Sequence, residues 1–401
     1  MVIQPKVRGF ICTVAHPAGC HEAVKRQIEY VQSQPAFSSV KNALVIGCST
    51  GYGLASRIAL SFGGDAKTMG VCFEKPAQGK RTATAGWYNT AAFEVMAHAN
   101  NQYAKTINGD AFSAEIKKEA AEQIRRDFGK LECLVYSLAS PRRTHPESGQ
   151  TYASVLKPIG QSYSNKTVDP LTGVMKDITL EPASDEEIKN TVEVMGGDDW
   201  ERWVAFLQDE DLLAENFTTI GYSYIGPEIT FPIYTAGTIG MAKKHMQQTA
   251  ESLTKRLASL NGKALISVNK ALVTQSSSAI PVVPLYMSIL FEVMEQKGTN
   301  EHCIEQMQRL FSNYYSKKAG LEVDSEGRLR MDDWEMHPEV QSAVAYQWSN
   351  LSEDMISSLP GLKMYQTDFY RLFGFGFDNI DYSADVDPVV EIPSLIVSSQ
   401  A

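Results

Sequence analysis

Residues 41–57 read Lys41-Asn-Ala-Leu-Val-Ile-Gly-Cys-Ser-Thr-Gly-Tyr-Gly-Leu-Ala-Ser-Arg57. The apolar run over 43–46 is typical of a buried strand in a parallel sheet, and the run that begins at Leu54 is compatible with a helix. Three glycines stand between the two runs. A strand, a glycine turn and a helix N-terminus together bind a pyrophosphate, because glycines let the backbone approach the phosphates and the helix offers free N–H groups.

The glycine spacing is Gly-x3-Gly-x-Gly, from Gly47 through Gly51 to Gly53. It looks like the short-chain dehydrogenase version of the dinucleotide turn, and it differs from the more general G-x-G-x-x-G pattern. Three glycines between an apolar run and a helix can also form a simple tight turn, so both interpretations stay open on this stretch alone.

The composition is that of a soluble globular protein with a large core, since 43% of the 401 residues are hydrophobic and 21% are charged. The formal net charge of −10 argues against non-specific nucleic-acid binding, which needs a basic surface. The N-terminus shows no continuous apolar segment of a signal peptide, and the longest apolar stretch, near 279–293, is too short to span a bilayer. We expect a cytoplasmic protein without membrane insertion.

Cysteine and histidine spacing does not indicate a metal site. The six cysteines form no Cys-x2-Cys pair, and the seven histidines show neither His-x3-His nor His-Glu-x2-His spacing. We therefore expect no metal, and free cysteines as in a reducing compartment.

Strand and helix patterns alternate along the first third of the chain. Apolar runs at 43–46, 66–73, 104–107 and 131–137 predict strands, and helical patterns follow the first three. This alternation predicts an α/β protein with a Rossmann-type, doubly wound parallel sheet, similar to a short-chain dehydrogenase, with extra hairpin and helical insertions.

The rest of the chain predicts additions to that sheet. Residues 141–182 are rich in Pro, Gly, Ser and Thr and predict a β-hairpin-like insertion, with arms at 151–158 and 177–180 and a turn near 169–173. We expect one large NAD-binding α/β domain over 1–401, in which 281–380 form substrate-covering and C-terminal helical additions.

Strand ends supply candidate contacts, because ligands bind at the carboxyl ends of strands in an open parallel sheet. Glu74 could accept hydrogen bonds from the adenosine ribose and repel a 2′-phosphate, which would favour NADH over NADPH; a solvated loop carboxylate is the alternative. Asp110 and Ala111 stand where an adenine would lie, although an Asp there is also a common N-cap. Leu138 and Ala139 lie where the nicotinamide ribose would pass; the alternative is that these small residues simply form a tight turn.

Tyr234 and Lys243 form a second candidate set. A phenol can hydrogen-bond to an oxygen that gains negative charge, and a lysine can hold the nicotinamide ribose. Nine residues of one ideal helix turn through about 900°, which places the two side chains on opposite faces. The pair therefore cooperates only if Tyr234 precedes the regular helix, as Pro232 and Gly237 make plausible. Aromatic packing and a solvated lysine face are the alternative, and Lys244 could face a phosphate.

The segment 270–274 ends the predicted sixth strand, where backbone and the Thr274 hydroxyl could reach the carboxamide or the pyrophosphate. The apolar helix that follows could wall an acyl channel or be plain core. Its candidate wall residues are Val282, Leu285, Met287 and Ile289.

These motifs together resemble the monomeric trans-2-enoyl reductases, the family of the long bacterial enoyl-acyl-carrier-protein reductases (FabV type) and the trans-2-enoyl-CoA reductases. The resemblance covers essentially the whole chain, and its Tyr-x8-Lys spacing is longer than that of ordinary short-chain enoyl reductases. The motifs that carry it are Gly47-Cys-Ser-Thr-Gly-Tyr-Gly53, Phe73-Glu74, Tyr136-Ser-Leu-Ala-Ser-Pro-Arg142, Tyr224-Ile-Gly-Pro227, Tyr234-x8-Lys243-Lys244 and Leu272-Val-Thr274.

The resemblance implies roles residue by residue. Tyr234 would be the catalytic acid or enolate-stabilising phenol, Lys243 would be catalytic and bind the cofactor with help from Lys244, and Tyr224 would bind the thioester carbonyl. The implied NADH/NAD contacts are Gly47, Cys48, Ser49, Thr50, Gly51, Tyr52, Phe73, Glu74, Asp110, Ala111, Leu138, Ala139, Lys243, Lys244, Leu272, Val273 and Thr274.

The activity that the resemblance implies is NADH-dependent reduction of the carbon–carbon double bond of trans-2-enoyl thioesters, on acyl carrier protein or on CoA, the last step of the fatty-acid elongation cycle. The enzyme would act as a monomer. The residues alone leave three alternatives open: a carbonyl-reducing short-chain dehydrogenase, a methyltransferase, and a non-catalytic, redox-sensing NAD-binding protein.

Overall fold

The computed structural model describes residues 1–9, 11–38, 40–316 and 322–397, and within those ranges its centre is one sheet of eight parallel strands. The strands in chain order are β1 (Val7–Arg8), β2 (Ile11–Cys12), β3 (Asn42–Ile46), β4 (Lys67–Cys72), β5 (Ala104–Asn108), β6 (Leu131–Tyr136), β7 (Arg142–Thr144), β8 (Thr151–Ala153), β9 (Tyr163–Val168), β10 (Met175–Leu180), β11 (Leu213–Ser223), β12 (Lys263–Val268), β13 (Leu329–Arg330) and β14 (Leu395–Val397).

Helices surround the sheet. In chain order they are α1 (Pro17–Ser33), α2 (Gly51–Ile58), α3 (Ala85–Ala99), α4 (Ala114–Asp127), α5 (Asp185–Met195), α6 (Asp198–Asp209), α7 (Thr238–Arg256), α8 (Val283–Gln296), α9 (Cys303–Ser316), α10 (Pro338–Asn350), α11 (Glu353–Ile356) and α12 (Pro360–Arg371).

The order of the central sheet is β13-β12-β11-β6-β3-β4-β5-β14. Its six inner strands have the 3-2-1-4-5-6 order of a doubly wound dinucleotide-binding sheet, with β3 as the first strand. The strand order reverses between β3 and β6, which are hydrogen-bonded neighbours. The predicted α/β fold with a doubly wound parallel sheet is therefore confirmed.

Both faces of the sheet are covered, as a parallel sheet requires. On one face, apolar side chains of α1, α2, α3 and α9 pack against β3, among them Ile58 and Phe93. On the other face, α4, α6 and α7 contribute a second core, which includes Trp200, Trp203 and Leu253. The sheet is thus buried on both sides and opens only at its strand ends.

Residues 141–182 contain two antiparallel hairpins, where the sequence predicted one. The predicted turn is present, because the Asp169 N–H donates to Val174 O over 2.9 Å and joins β9 to β10. The predicted first arm lies elsewhere, since β8 pairs with β7. The true partner, β9, reads Tyr-Ser-Asn-Lys-Thr-Val, and its polar residues hide it from a hydrophobic pattern.

Two short strands at the edges of the sheet were missed by the sequence analysis. β13 extends the edge beside β12, and β14 extends the opposite edge beside β5. The backbone N–H of Ser394, just before β14, donates to Glu94 Oε2 over 2.7 Å. Strands of two or three residues are too short to show a period, and only their tertiary partners define them.

The stretch 281–380 contains α8 to α12 and also β13, which belongs to the main sheet; its residues 317–321 lie outside the described part of the chain. α8 packs against α10 and α12 in a third apolar core that includes Leu290, Tyr365 and Phe369. Within the described ranges, no helix is both long and apolar enough to cross a membrane.

Candidate active site

The glycine turn lies at the carboxyl end of β3. Gly47 and Gly51 have φ values of +81° and +53°, a region that favours glycine. A Cβ on Gly53 would stand 1.9 Å from Gly47 O, so α2 approaches the turn too closely for any larger residue. The Thr50 side chain does not cap α2. The first N–H groups of α2 are therefore free of a side-chain cap, as a phosphate cradle requires.

Glu74 follows β4 and is held in place on three sides. Its Oε1 accepts a hydrogen bond from Ser49 Oγ over 2.6 Å, and its backbone exchanges two bonds of 2.7 and 2.9 Å with the Asn108 amide. Gly86 leaves room for the carboxylate, since a Cβ there would stand 2.0 Å from Glu74 Oε1. Burial raises the pKa of the Glu74 carboxyl, although Ser49 opposes that shift. A fixed carboxylate is thus presented beside the glycine turn.

A cleft of about 710 Å³ runs along the carboxyl ends of the central strands and reaches across the point where their order reverses. It brings together residues that lie more than two hundred positions apart in the sequence. The predicted residues that line it are Gly47, Ser49, Thr50, Gly51, Tyr52, Phe73, Glu74, Asp110, Ala111, Leu138, Ala139, Tyr224, Tyr234, Lys243, Leu272 and Thr274.

Three residues of the predicted cofactor set do not line the cleft. The Cys48 side chain is fully buried behind the turn, where Arg57 Nη1 lies 3.8 Å from its sulfur. Lys244 is exposed on α7, and Val273 is buried in the apolar core formed with α8. For these three residues a family motif gave the position along the chain but not the direction of the side chain.

Tyr234 precedes the regular helix. α7 begins at Thr238, and the Tyr234 N–H donates to Thr230 O over 2.9 Å in the turn before it. The nine-residue spacing to Lys243 therefore does not put the two side chains on opposite faces of one helix, and both line the cleft.

Burial sets the electrostatics of this end of the cleft. Lys243 Nζ donates to Tyr222 O over 2.8 Å, and burial lowers the pKa of the Lys243 ammonium to about 8. Burial also raises the pKa of the Tyr234 phenol, so that phenol keeps its proton at neutral pH. The cleft thus contains a neutral phenol as a hydrogen-bond donor and a lysine that titrates near physiological pH.

Tyr224 lies beside Tyr234, and it has a partner that the sequence analysis missed. The two rings meet edge to face with centroids 4.9 Å apart, and the Tyr224 hydroxyl forms a hydrogen bond of 2.9 Å with Glu335 Oε1. Glu335 is completely buried. In the sequence it ends the acidic run Asp332-Asp-Trp-Glu335, which resembles a solvated surface, so no local signal identifies it.

The apolar helix α8 contributes less to the cleft than an acyl-channel wall would. Of its four candidate wall residues only Met287 lines the cleft, while Val282, Leu285 and Ile289 are fully buried in the core. Ile280 and Val283 complete the apolar lining on this side. Among the described residues, no group of three His, Cys, Asp or Glu side chains is arranged to hold a metal ion.

Comparison with known proteins identifies the family. Residues 81–315 match the model of the trans-2-enoyl-CoA reductase catalytic region, and residues 2–79 match that of the NAD(P)H binding domain of trans-2-enoyl-CoA reductase. The chain belongs to the trans-2-enoyl-CoA reductase family. The resemblance inferred from the motifs is confirmed.

Individual members of the trans-2-enoyl-CoA reductase family align over nearly the full length of this chain. The enoyl-[acyl-carrier-protein] reductase [NADH] of Flavobacterium johnsoniae is 54% identical and covers 98% of this chain and 100% of its own. The trans-2-enoyl-CoA reductase [NADH] of Ruminiclostridium cellulolyticum is 50% identical over 98% and 100%. The crystal structure of Clostridium acetobutulicum trans-2-enoyl-CoA reductase in complex with NADH has a TM-score of 0.94 at 40% identity and covers 97% and 98%.

A third family model, the enoyl reductase FAD binding domain, matches residues 323–386. The described residues of this segment contribute nothing to the cleft. The helices α10 and α12 turn Val340, Trp348 and Phe369 into the core that they share with α8, and no residue of the segment lines the cleft. A nicotinamide cofactor fits better, because the cleft has a glycine cradle at one end and a fixed carboxylate beside it.

Proposed function

We propose that this chain uses NADH to reduce the carbon–carbon double bond of trans-2-enoyl thioesters, the last step of the fatty-acid elongation cycle. One observation carries the proposal. A single cleft contains the glycine turn and the Glu74 carboxylate at one end and two tyrosines with a half-buried lysine at the other. The first half suits NADH, and the second half suits an oxygen that gains negative charge.

The cofactor half has a separate task for each group. The N–H groups at the start of α2 would bind the pyrophosphate, and Glu74 would accept hydrogen bonds from the adenosine ribose hydroxyls. A 2′-phosphate at that place would meet the fixed negative charge of Glu74, which favours NADH. Asp110 and Ala111 would border the adenine, and Leu138 and Ala139 would border the nicotinamide ribose.

The substrate half stabilises developing charge. NADH, when bound, supplies the hydride that adds to the β-carbon of the enoyl group. As the hydride arrives, negative charge moves to the thioester oxygen, and the hydroxyls of Tyr224 and Tyr234 would donate hydrogen bonds to it. A proton would then reach the α-carbon and give the saturated thioester. Lys243 would hold the nicotinamide ribose and keep the local field positive. Donors fixed before the reaction are usually the largest catalytic contribution, because they need no reorganisation when charge forms.

We also propose that the acyl group arrives on acyl carrier protein or on CoA, and that the enzyme works as a cytoplasmic monomer. Relatives at similar identity carry the names of either activity, which supports both carriers. An acidic carrier would need a local basic surface on this chain of net charge −10. Arg142 at the cleft margin makes no ion pair among the described residues and is the nearest candidate.

The first experiment follows NADH consumption by the purified protein with a short trans-2-enoyl-CoA, with NADPH, enoyl-acyl-carrier-protein and a ketone in parallel. We expect NADH-selective consumption that yields the saturated thioester. Consumption with the ketone alone would replace the proposal with carbonyl reduction. Binding of NADH without consumption on either enoyl thioester would refute the proposed reaction.

A further inference from the structure

A line of hydrogen bonds leads from α10 to the cleft through groups that the proposed mechanism does not use. Gln341 Nε2 lies 3.2 Å from Tyr286 Oη, Tyr286 Oη lies 2.7 Å from Glu335 Oε1, and Glu335 Oε1 lies 2.9 Å from Tyr224 Oη. Glu335 Oε2 accepts from the Ala271 N–H over 2.7 Å. Glu335 and Tyr286 are completely buried.

The direction of most of these hydrogen bonds is fixed by the available protons. The Gln341 amide also donates to the Glu335 backbone carbonyl over 2.7 Å, so its NH2 group faces Glu335 and Tyr286. A hydroxyl has one proton and an amide N–H can only donate. Tyr286 therefore accepts from Gln341 and gives its own proton to Glu335, while Ala271 occupies the other oxygen of Glu335.

Only the bond between Glu335 and Tyr224 can point either way. If Glu335 is ionised, Tyr224 donates to it and has no proton left for an oxygen in the cleft. If Glu335 is protonated on Oε1, the carboxyl donates to Tyr224, and the Tyr224 hydroxyl proton is free to point into the cleft. The protonation state of Glu335 thus decides whether Tyr224 can stabilise a thioester oxygen.

The surroundings of Glu335 favour the protonated acid. Complete burial raises the pKa of the Glu335 carboxyl and outweighs the hydrogen bonds from Tyr286, the Ala271 N–H and Tyr224 and the charge of the nearby Lys270, which all oppose that shift. Lys270 is itself buried and donates to Ala271 O over 3.2 Å, and burial lowers the pKa of its ammonium. The other titratable groups that face Glu335 are the phenols Tyr224 and Tyr286, and burial raises the pKa of both. Lys270 is therefore the one cation that faces the carboxyl among the described residues, and it makes no direct ion pair with it.

We propose that Glu335 is a positioning residue: it holds a protonated carboxyl that directs the Tyr224 hydroxyl at the thioester oxygen. This inference rests on the proposed function of Tyr224. In this state every donor from Gln341 through Tyr286 and Glu335 to Tyr224 points toward the cleft, so each bond polarises the next as charge grows on the substrate. The Glu335 proton stays on the carboxyl and no bond to it breaks.

Two substitutions of Glu335 distinguish a role as hydrogen-bond donor to Tyr224 from a role in packing alone. In Glu335→Gln the amide oxygen must face the Ala271 N–H, so the NH2 group takes the place of Oε1 and donates to Tyr224. It can no longer accept from Tyr286, whose hydroxyl proton must turn away. We expect kcat of this variant to fall by no more than about threefold, whereas Glu335→Met, which has similar length and no donor, should lose about tenfold or more in kcat with an unchanged KM for NADH. An equal loss in both variants would show that the carboxylate form is needed and would overturn the proposal.

The same variants in a Tyr224→Phe background test whether Glu335 acts through Tyr224. We expect Glu335→Met to cause no further loss of kcat in that background, because the donor has no hydroxyl left to direct. A further tenfold loss would assign Glu335 a purely structural role.

An infrared measurement tests the proposal without any turnover. The spectrum of the wild-type protein minus that of Glu335→Gln at neutral pH should contain the C=O band of a protonated carboxylic acid. As a matched control, Glu301→Gln should remove a carboxylate band, because Glu301 is equally buried but pairs with Arg309 over 2.7 Å. A carboxylate band lost from Glu335→Gln would refute the protonated state. If no enoyl thioester is reduced while the acid band is present, the proposed reaction fails and the state of Glu335 stands.

Discussion

Ser49 and Glu74 are joined by a hydrogen bond of 2.6 Å that links the glycine turn to the end of the next strand. The bond fixes the carboxylate beside the turn. Because the hydroxyl of Ser49 can only donate one proton, Glu74 keeps lone pairs free for a ligand. Cofactor choice in this family member should therefore depend on the position of one carboxylate.

Gly86 offers a way to move that carboxylate without removing it. In Gly86→Ala the new methyl group would occupy the space of Glu74 Oε1, 2.0 Å from the present oxygen, and displace it. We expect the KM for NADH to rise about three- to tenfold while the preference over NADPH falls, as we also expect when Glu74→Ala removes the charge. Steady-state kinetics with both cofactors measure this. In a Glu74→Ala background Gly86→Ala should leave the cofactor ratio as it is, and a further change would contradict the mechanism.

Tyr234→Phe tests the phenol at the reacting end. Removing a donor aimed at developing charge should lower kcat by roughly a hundredfold or more. The dissociation constant of NADH, measured by fluorescence titration, should stay within about twofold, since the ring remains in place. Tyr346→Phe is the matched control, because Tyr346 is 72% exposed and does not line the cleft. Near-normal turnover of Tyr234→Phe would remove Tyr234 from the mechanism.

Lys243 predicts a pH dependence with a definite sign. Burial lowers the pKa of its ammonium to about 8, and in the proposed function the charged form would hold the nicotinamide ribose. The value of kcat/KM for NADH should therefore be constant below about pH 7 and fall up to tenfold per pH unit above about pH 8. Lys243→Met should have a low kcat/KM that does not decline above about pH 8. Lys255 is an exposed lysine of the same helix, and Lys255→Met should keep the decline. The same decline in Lys243→Met would assign the titration to another group.

The buried pair Arg57 and Glu94 predicts a stability effect away from the cleft. Both side chains are fully buried, and Glu94 also accepts from Thr106 Oγ1 over 2.6 Å and from the Ser394 N–H over 2.7 Å. Glu94→Ala leaves a buried guanidinium without its carboxylate, which should lower the free energy of unfolding by about 3 kcal/mol or more. Glu29→Ala, in an exposed pair with Lys25, should change it by less than about 1 kcal/mol. Urea unfolding curves measure the free energy of unfolding of both variants. A loss of less than about 1 kcal/mol in Glu94→Ala as well as in Glu29→Ala would contradict the prediction.

The parts of the fold that the sequence predicted are those with strong local patterns. β3, β4 and β6 are mostly apolar, as expected of strands that are buried on both faces. The start of α7 after Tyr234 was also predictable, because Pro232 and Gly237 both weaken a regular helix in this segment. Each of these features depends on residues within a few positions of one another.

The features that were missed depend on distant partners. Glu335 is defined by Tyr224, 111 positions earlier in the chain, and nothing in its own neighbourhood distinguishes it from a surface acid. β9 contributes only Tyr163 and Val168 to the third apolar core, and its pairing with β10 defines it as a strand. The direction of the Cys48 side chain is set by the close approach of β4 at Gly70, where a Cβ would stand 2.4 Å from its sulfur.

The position of β14 has a consequence for how the chain is made. β5 is complete early in synthesis, yet the strand that covers its outer edge is encoded near the other end of the sequence. Until residues 395–397 leave the ribosome, a row of unpaired backbone groups on a nearly finished dinucleotide domain stays open to any passing strand. The interval between those two events is the period in which this protein is most exposed to edge-to-edge aggregation, and a chain shortened before β14 would remain in that state.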